Sequence, residues 1–194
     1  MSEARSKASF DALYARYAEL PPGVVAEIVG GEIRVLPPPK PRHARISSRL
    51  GTRLGRSFEW DADDPSPGGW VILDEPELRF GDEIRVPDLA AWRVERYVEP
   101  EDNPITLTPD WICEVLSPTT ARSDRAEKMP LYAEHGVGFL WIVDPAMKTL
   151  EVYRREGTLW VVASTHGEDD RVRAVPFDAI ELDLGALWRR PDTG

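Results

Sequence analysis

The chain has 194 residues, 42% of them apolar, and carries a formal net charge of −10 at pH 7. The apolar content argues against a disordered chain, and the length predicts one domain over residues 1–194, with an ordered core at about 10–188. The negative charge argues against a protein whose whole surface binds nucleic acid. The sequence has one cysteine and no apolar run long enough to span a membrane, so we expect a cytoplasmic protein without a membrane segment.

A helix and a hairpin are predicted in the N-terminal part of the chain. Apolar residues spaced like one face of a helix run from Phe10 to Tyr17. Two apolar segments, Val24–Val29 and Glu32–Leu36, flank Gly30-Gly31 and predict a β-hairpin with a two-residue turn. Glu27 lies inside the first segment, either as an edge charge or as a carboxylate directed at the core.

The next predicted helix, about Arg42 to Phe58, carries an apolar stripe and an adjacent basic one. The apolar stripe recurs at helical spacing and consists of Ile46, Leu50, Leu54 and Phe58. The arginine stripe consists of Arg42, Arg45, Arg49, Arg53 and Arg56. It is either a solvated face, paired with acids of the following loop such as Asp61, Asp63 and Asp64, or a surface that follows DNA phosphates. His43 projects towards the apolar side of the helix.

Two carboxylates lie within apolar strand sequence in the centre of the chain. Strands are predicted at Val71–Leu73, Glu77–Phe80 and Ile84–Trp92, and the third contains Asp88. A buried strand at Trp111–Leu116 contains Glu114. A carboxylate in a core strand is costly unless it is paired or binds a cation, so Asp88 and Glu114 mark a candidate site.

The segment after this strand is helical in pattern, but Pro130 interrupts it. Either a helix begins near Glu127 with Pro130 in its first turn, or a short turn from Ser123 kinks into a second piece. Lys128 lies at or near the irregularity in both cases. Because Asp124 is four residues before Lys128, a surface ion pair is the alternative to a catalytic lysine.

The C-terminal part is predicted to be mainly β-structure, ending in a short helix or strand that packs on the body of the molecule. The predicted strands are Phe139–Val143, Thr149–Arg154 and Leu159–Ala163, followed by a turn at Glu168–Arg171. These elements extend the central sheet by hairpins.

Two carboxylates on neighbouring strands, close to a lysine, suit the hydrolysis of phosphodiester bonds. Mg²⁺ takes oxygen ligands and usually keeps several waters, polarises a phosphoryl oxygen and lowers the pKa of a bound water. A lysine ammonium orients the attacking water or stabilises charge on the phosphorus. The spacing of these residues alone leaves an alternative open, in which the two acids are ordinary charged residues at the edge of a β-sheet.

Four strings of the sequence resemble a known family. They are AEIVGGEI at 26–33, VPD at 86–88, PDWICEVLSP at 109–118 and WIVDP at 141–145. Together with Asp124, Lys128 and Tyr132 they resemble the Uma-type restriction endonucleases, bacterial proteins assigned to the PD-(D/E)XK nuclease superfamily. The resemblance covers about Phe10 to Trp188. It implies an α/β fold with a restriction-endonuclease-like core, in which a mixed β-sheet is flanked by helices.

The resemblance also implies roles for residues of the candidate site. Asp88 and Glu114 would be catalytic metal ligands, with the carbonyl of Val115 as a third, and the metal would be Mg²⁺ with Mn²⁺ as a substitute. The superfamily pattern has a lysine two residues after the second acid, where this chain has Leu116. Lys128 on the following helix is therefore the candidate catalytic lysine.

The implied function is Mg²⁺-dependent cleavage of DNA phosphodiester bonds by a homodimer, because two strands require two sites. Glu27 would be an accessory catalytic acid, and His43 would meet a phosphate or a water. The candidate DNA-binding residues are Arg45, Arg49, Arg53 and His43. One alternative is a catalytically inactive nuclease-fold protein that binds DNA or regulates another protein. A third possibility is a protein-interaction partner that binds no nucleic acid, which the net charge of −10 allows.

Overall fold

The fold was analysed in a computed structural model, which describes residues 10–59 and 67–189. Most of the predicted acidic loop, including Asp61, Asp63 and Asp64, lies outside these residues. The helices are α1 (Phe10–Ala18), α2 (Pro41–Phe58), α3 (Ala121–Ser123), α4 (Met129–Glu134) and α5 (Gly185–Trp188). No helix in the described ranges is long and apolar enough to cross a membrane.

Twelve strands are present among the described residues, in three sheets. In chain order they are β1 (Ala26–Val29), β2 (Glu32–Val35), β3 (Trp70–Asp74), β4 (Leu78–Phe80), β5 (Glu83–Arg85), β6 (Leu89–Arg93), β7 (Trp111–Val115), β8 (Phe139–Asp144), β9 (Thr149–Glu156), β10 (Leu159–Gly167), β11 (Arg171–Val172) and β12 (Leu182–Asp183). The sheet orders are β10-β9-β8-β7-β6-β3, β2-β1-β5-β4 and β11-β12.

The six-stranded sheet is the mixed sheet that was predicted. Strands β7 and β8 run parallel, and its other neighbouring pairs are antiparallel. Residues along β7 alternate between its two faces: Trp111 and Cys113 pack with α2, whereas Ile112 packs with Tyr132 of α4. Glu114 has the same parity as Ile112, so its side chain is on the face covered by α4.

The predicted strand Ile84–Trp92 is two strands in two different sheets, and this prediction was wrong. β5 pairs with β1 and β4, whereas β6 pairs with β3 and β7. The three residues between them, Val86 to Asp88, carry the chain from one sheet to the other. Pro87 has no N–H to donate to a neighbouring strand, which favours an interruption of the strand at this position. Asp88 therefore precedes β6 instead of lying within a strand.

The hairpin and the first two helices match their predictions. Val29 pairs with Glu32 across Gly30 and Gly31, whose φ angles of 58° and 82° are those of a two-residue hairpin turn. The apolar stripe of α2 is buried against the six-stranded sheet. In α1, Leu13 and Tyr17 are buried against β1 and β5. Since Ala26 and Ile28 face α1, Glu27 points to the opposite side of the hairpin.

The segment around Pro130 is helical without a gap from Ala121 to Glu134 and matches neither predicted alternative in full. A short α3 continues into a π-helical turn, Asp124–Lys128, and α4 follows. Pro130 lies in the first turn of α4, a position at which proline is common because the N–H that it lacks is not needed there. The wider π-helical turn leaves both Asp124 and Lys128 buried. Turns of this kind occur frequently at functional sites.

Candidate active site

One cavity of about 620 Å³ is lined by four of the nine predicted site residues. Asp88 and Glu114 both line it, so the two acids face the same space, as expected. His43 and Lys128 line it as well. Glu27 and Tyr132 contact these residues from behind the cavity wall.

The carboxylate of Asp88 is fixed at both oxygens. Its Oδ1 lies 2.6 Å from Nε2 of His43, and its Oδ2 accepts the backbone N–H of Val115 at 2.6 Å. Burial lowers the pKa of His43, but the hydrogen bond and charge of Asp88, with Asp124 and Glu75, outweigh burial and raise it. The hydrogen bonds with His43 and with the Val115 N–H join helix α2 to the end of β7 through Asp88.

Glu114 is buried and is held by two donors. The hydroxyl of Tyr132 donates to its Oε1 at 2.7 Å, and the ammonium of Lys128 donates to its Oε2 at 3.2 Å. Burial raises the pKa of Glu114 well above its ordinary value, and although Lys128 acts in the opposite direction, Asp124 and Asp88 raise the pKa further. A cation placed among these acids would relieve that penalty.

Lys128 lies at the centre of an acidic cluster and is not the surface lysine of the alternative interpretation. Its ammonium is 3.4 Å from Glu27, 3.5 Å from Asp124 and 3.2 Å from Glu114, and its side chain is 8% exposed. Burial lowers the pKa of Lys128, but the surrounding carboxylates, led by Glu114, raise it overall. Lys128 therefore stays protonated at neutral pH, which suits a charge-stabilising group and excludes a general base.

Glu27 is directed at the core instead of being an edge charge. Its Oε1 accepts the backbone N–H of Val86 at 3.0 Å, and its Oε2 lies 3.4 Å from the guanidinium of Arg85. With Lys128 also 3.4 Å away, Glu27 joins the four-stranded sheet to the π-helical turn. It supports the lysine from the side opposite Glu114.

The oxygen donors of this site fit a hard divalent cation, although side chains alone do not form a complete set of ligands. Among residues 10–59 and 67–189, no three His, Cys, Asp or Glu side chains converge as metal ligands. Mg²⁺, however, is usually bound by one or two carboxylates and keeps its waters. In an extended strand the N–H and C=O of one residue point the same way, so the carbonyl of Val115 is directed to the side of Asp88. Asp88, Glu114 and this carbonyl form an all-oxygen set.

Comparisons with known proteins place the chain in a family. A family model described as "Putative restriction endonuclease" matches residues 11–185. The chain belongs to the Uma2 family. A crystal structure described as a "putative nuclease belonging to DUF820", from Anabaena variabilis, is 23% identical and superposes with a TM-score of 0.68, covering 90% of this chain and 96% of the other. That likeness shows the shared fold. A comparison with curated proteins found no match.

Two members of the arginine stripe of this Uma2 chain contact backbone carbonyls. Arg42 donates to the carbonyl of Pro145. Arg49 donates to three carbonyls at the C-terminal end of the described chain, those of Ala186, Leu187 and Arg189. The Nε atom of Arg45 is buried and has no hydrogen-bond partner in the part of the chain that is described. Binding of DNA by Arg45, Arg49, Arg53 and His43 stays a prediction.

Sequence reasoning missed one residue of the cluster and gave too small a role to another. Arg85 is 2% exposed and lies 2.5 Å from Glu83 and 3.4 Å from Glu27. Its signal was a charged residue in an apolar run, the same signal that marked Glu114. Tyr132 entered only as part of the family resemblance, without a role, but it is buried and its hydroxyl donates to Glu114. A hydrogen bond of this kind has no sequence pattern.

Proposed function

We propose that this Uma2 chain is a divalent-metal-dependent endonuclease that hydrolyses DNA phosphodiester bonds. The observation that carries the proposal is the meeting of Asp88, Glu114 and Lys128 in one cavity, although they come from a connection, a strand and a π-helical turn. The description of the family and that of the Anabaena variabilis structure support the same chemistry.

The metal would be Mg²⁺, with Mn²⁺ as a substitute, held by Asp88, Glu114 and the carbonyl of Val115. Such an ion polarises a phosphoryl oxygen and lowers the pKa of a bound water. The other groups prepare the acids for this role. His43 and the Val115 N–H orient Asp88, and Tyr132 orients Glu114.

Lys128 would supply a fixed positive charge to the phosphate during hydrolysis. Three carboxylates hold its ammonium within 3.5 Å, so no reorganisation is needed when charge develops on the phosphoryl oxygens. Glu27 is then a positioning residue for Lys128, which refines its predicted role as an accessory acid.

Cleavage of both strands of a duplex would require two copies of the chain. Each copy has one such cavity among its described residues, and a homodimer would place two of them on one DNA molecule. The arginine stripe of α2, which begins beside His43, is the proposed path for a DNA backbone.

Plasmid nicking in the presence of Mg²⁺ or Mn²⁺ tests the proposal. We expect the wild-type chain to nick DNA and to gain thermal stability with metal, and Glu114→Gln to lose the nicking. Glu156→Gln is the matched control, because Glu156 is an exposed carboxylate of the β9–β10 hairpin. DNA binding without cutting would support the inactive nuclease-fold alternative, and neither binding nor cutting would support a protein-interaction role.

A further inference from the structure

The groups of the candidate active site lie inside the molecule, not on a surface that a duplex can touch. The side chains of Glu114 and Lys128 are 3% and 8% exposed, and that of Asp88 is 13% exposed. A phosphate must therefore enter the cavity to reach them. A volume of about 620 Å³ is in the range of small-ligand pockets, which accommodates a nucleotide but not a base-paired helix.

Part of the cavity lining is apolar. It is formed by residues of the hairpin and of the segment that leads to α2, and we call it the apolar wall: Val24, Val25, Val35, Leu36 and Pro37 to Pro39. Val24, Val25 and Val35 are 37%, 39% and 61% exposed, so they are open to contact. Aliphatic and proline side chains offer nothing to a phosphate, but they match the apolar face of a nucleobase.

The charges around the cavity argue against a surface that binds the successive phosphates of a DNA strand. Its acidic lining residues are Glu75, Asp88, Glu114 and Asp124, against two lysines, Lys40 and Lys128. Lys128 is already surrounded by carboxylates. A duplex presents a phosphate on each strand and its bases are stacked inside. This cavity offers contacts mainly for one phosphate, with a metal, and for an unstacked base.

We propose that the cavity takes one unpaired nucleotide, with its phosphate towards Lys128 and its base against the apolar wall. The substrate would then be a DNA strand with unpaired nucleotides instead of a regular duplex. Enzymes that act on an unstacked nucleotide hold its base between apolar or aromatic side chains. The inference rests on the proposed function. In the hydrolysis, water gives a hydroxyl to phosphorus and a proton to the departing sugar oxygen as the P–O bond breaks.

Three labelled DNAs of one sequence test this inference in the presence of Mg²⁺: a single strand, a full duplex and a duplex with an internal bulge of unpaired nucleotides. We expect the single strand and the bulge to be cut at least about tenfold faster than the full duplex, with cuts at the unpaired positions. Equal or faster cutting of the full duplex would overturn the inference and leave the proposed function intact. Absence of cutting in all three DNAs would overturn the proposed function itself.

Variants of the apolar wall test the contact with the base. Val35→Asp should slow cleavage of the single strand by about tenfold, because a charge replaces an apolar contact with the base. Val162→Asp is the matched control, since Val162 is 56% exposed on β10 and does not line the cavity. Val24→Asp is a second test variant should Val35→Asp unfold. Identical rates for a folded wall variant and the control would contradict the contact.

Discussion

Arg85 is a buried cation on which the acidic cluster depends. Its guanidinium lies 2.5 Å from Glu83, 3.4 Å from Glu27 and 3.9 Å from Glu127. Removing one partner of a buried ion pair leaves an uncompensated charge, which typically costs about 3–5 kcal/mol. We therefore expect Arg85→Met to lower the free energy of unfolding by about that amount, as measured by urea denaturation.

Arg34 provides the control for this prediction. It also pairs with Glu127, at 2.8 Å, but its side chain is 47% exposed. Exposed pairs contribute about 0–1 kcal/mol, so Arg34→Met should change stability little. Similar losses in the two variants would contradict the special role of Arg85.

Glu114 should make the stability of the metal-free protein depend on pH. Burial, together with Asp124 and Asp88, holds the pKa of Glu114 above its ordinary value of 4.5 in spite of Lys128. The folded state therefore binds the proton more tightly than the unfolded state does. The resulting stabilisation is fully present below the unfolded pKa and is lost as pH rises through the folded pKa.

Glu114→Gln removes this titration, so its stability relative to wild type should increase as pH rises from about 4.5. Urea midpoints of both proteins, measured without metal at a series of pH values, give the difference. Parallel curves for the two proteins would show that Glu114 ionises as an ordinary carboxylate. Addition of Mg²⁺ should reduce the difference, since the cation stabilises the ionised form.

At the residue scale, acidic residues that interrupt apolar runs pointed to the site, although the basic Arg85 carried the same signal and was missed. Asp88, Glu114 and Glu27 were found in this way, and the structure brings all three to one cluster. The choice of Lys128 as the catalytic lysine depended on the family resemblance, because Leu116 occupies the position at which the superfamily pattern has its lysine. The partners of these groups were not predictable, since contacts such as His43 with Asp88 join residues far apart in the chain.

Close packing of α2 on the sheet is visible at two glycines with different surroundings. A Cβ atom at Gly51 would lie 2.9 Å from Asp74 Oδ1 and 3.2 Å from Leu89 Cδ2. At Gly55 the nearest atom would be Oε2 of the exposed Glu59, at 3.4 Å. Alanine is favoured over glycine in a helix by about 1 kcal/mol. The packing around each glycine therefore decides whether its replacement by alanine stabilises or destabilises the protein.

We expect Gly51→Ala to destabilise the protein, because overpacking against the fully buried Leu89 costs about 1–3 kcal/mol. Gly55→Ala should leave stability unchanged or raise it by up to about 1 kcal/mol. Thermal unfolding of the two variants side by side measures the contrast. A stabilised Gly51→Ala would mean that α2 lies further from β6 than described.

Elements with a strong local pattern were predicted well, whereas membership in a sheet was not. The stripe of α2 and the Gly30-Gly31 turn depend on spacing within a few residues. The run Ile84–Trp92 is mainly apolar, and its division between β5 and β6 depends on strands distant in sequence. Pro87 was the available local signal for that division. The same break places Asp88 outside the ladder, where its carboxylate reaches the N–H of Val115.

Two sheets form the body of the molecule, and the proposed site joins them. Glu27 comes from the four-stranded sheet, Glu114 from the six-stranded sheet, and Lys128 contacts both acids. Apolar packing also joins the two sheets, because the ring of Phe80 in β4 lies 5.4 Å from the ring of Tyr132 in α4, at an angle of 52°. One domain over the chain, which was predicted from its length, stays a prediction.

Native-state hydrogen exchange tests whether the two sheets open together. If they are one cooperative unit, the slowest amides of β1 and of β7 should share one opening free energy, that of global unfolding. Arg85→Met should then lower both values equally, because a loss of stability anywhere in one cooperative unit lowers the global opening free energy that both strands share. A clearly lower opening free energy for β1 would show that the four-stranded sheet unfolds first. Glu27 would then leave Lys128 during such openings, and the acidic cluster would form only in the fully folded molecule.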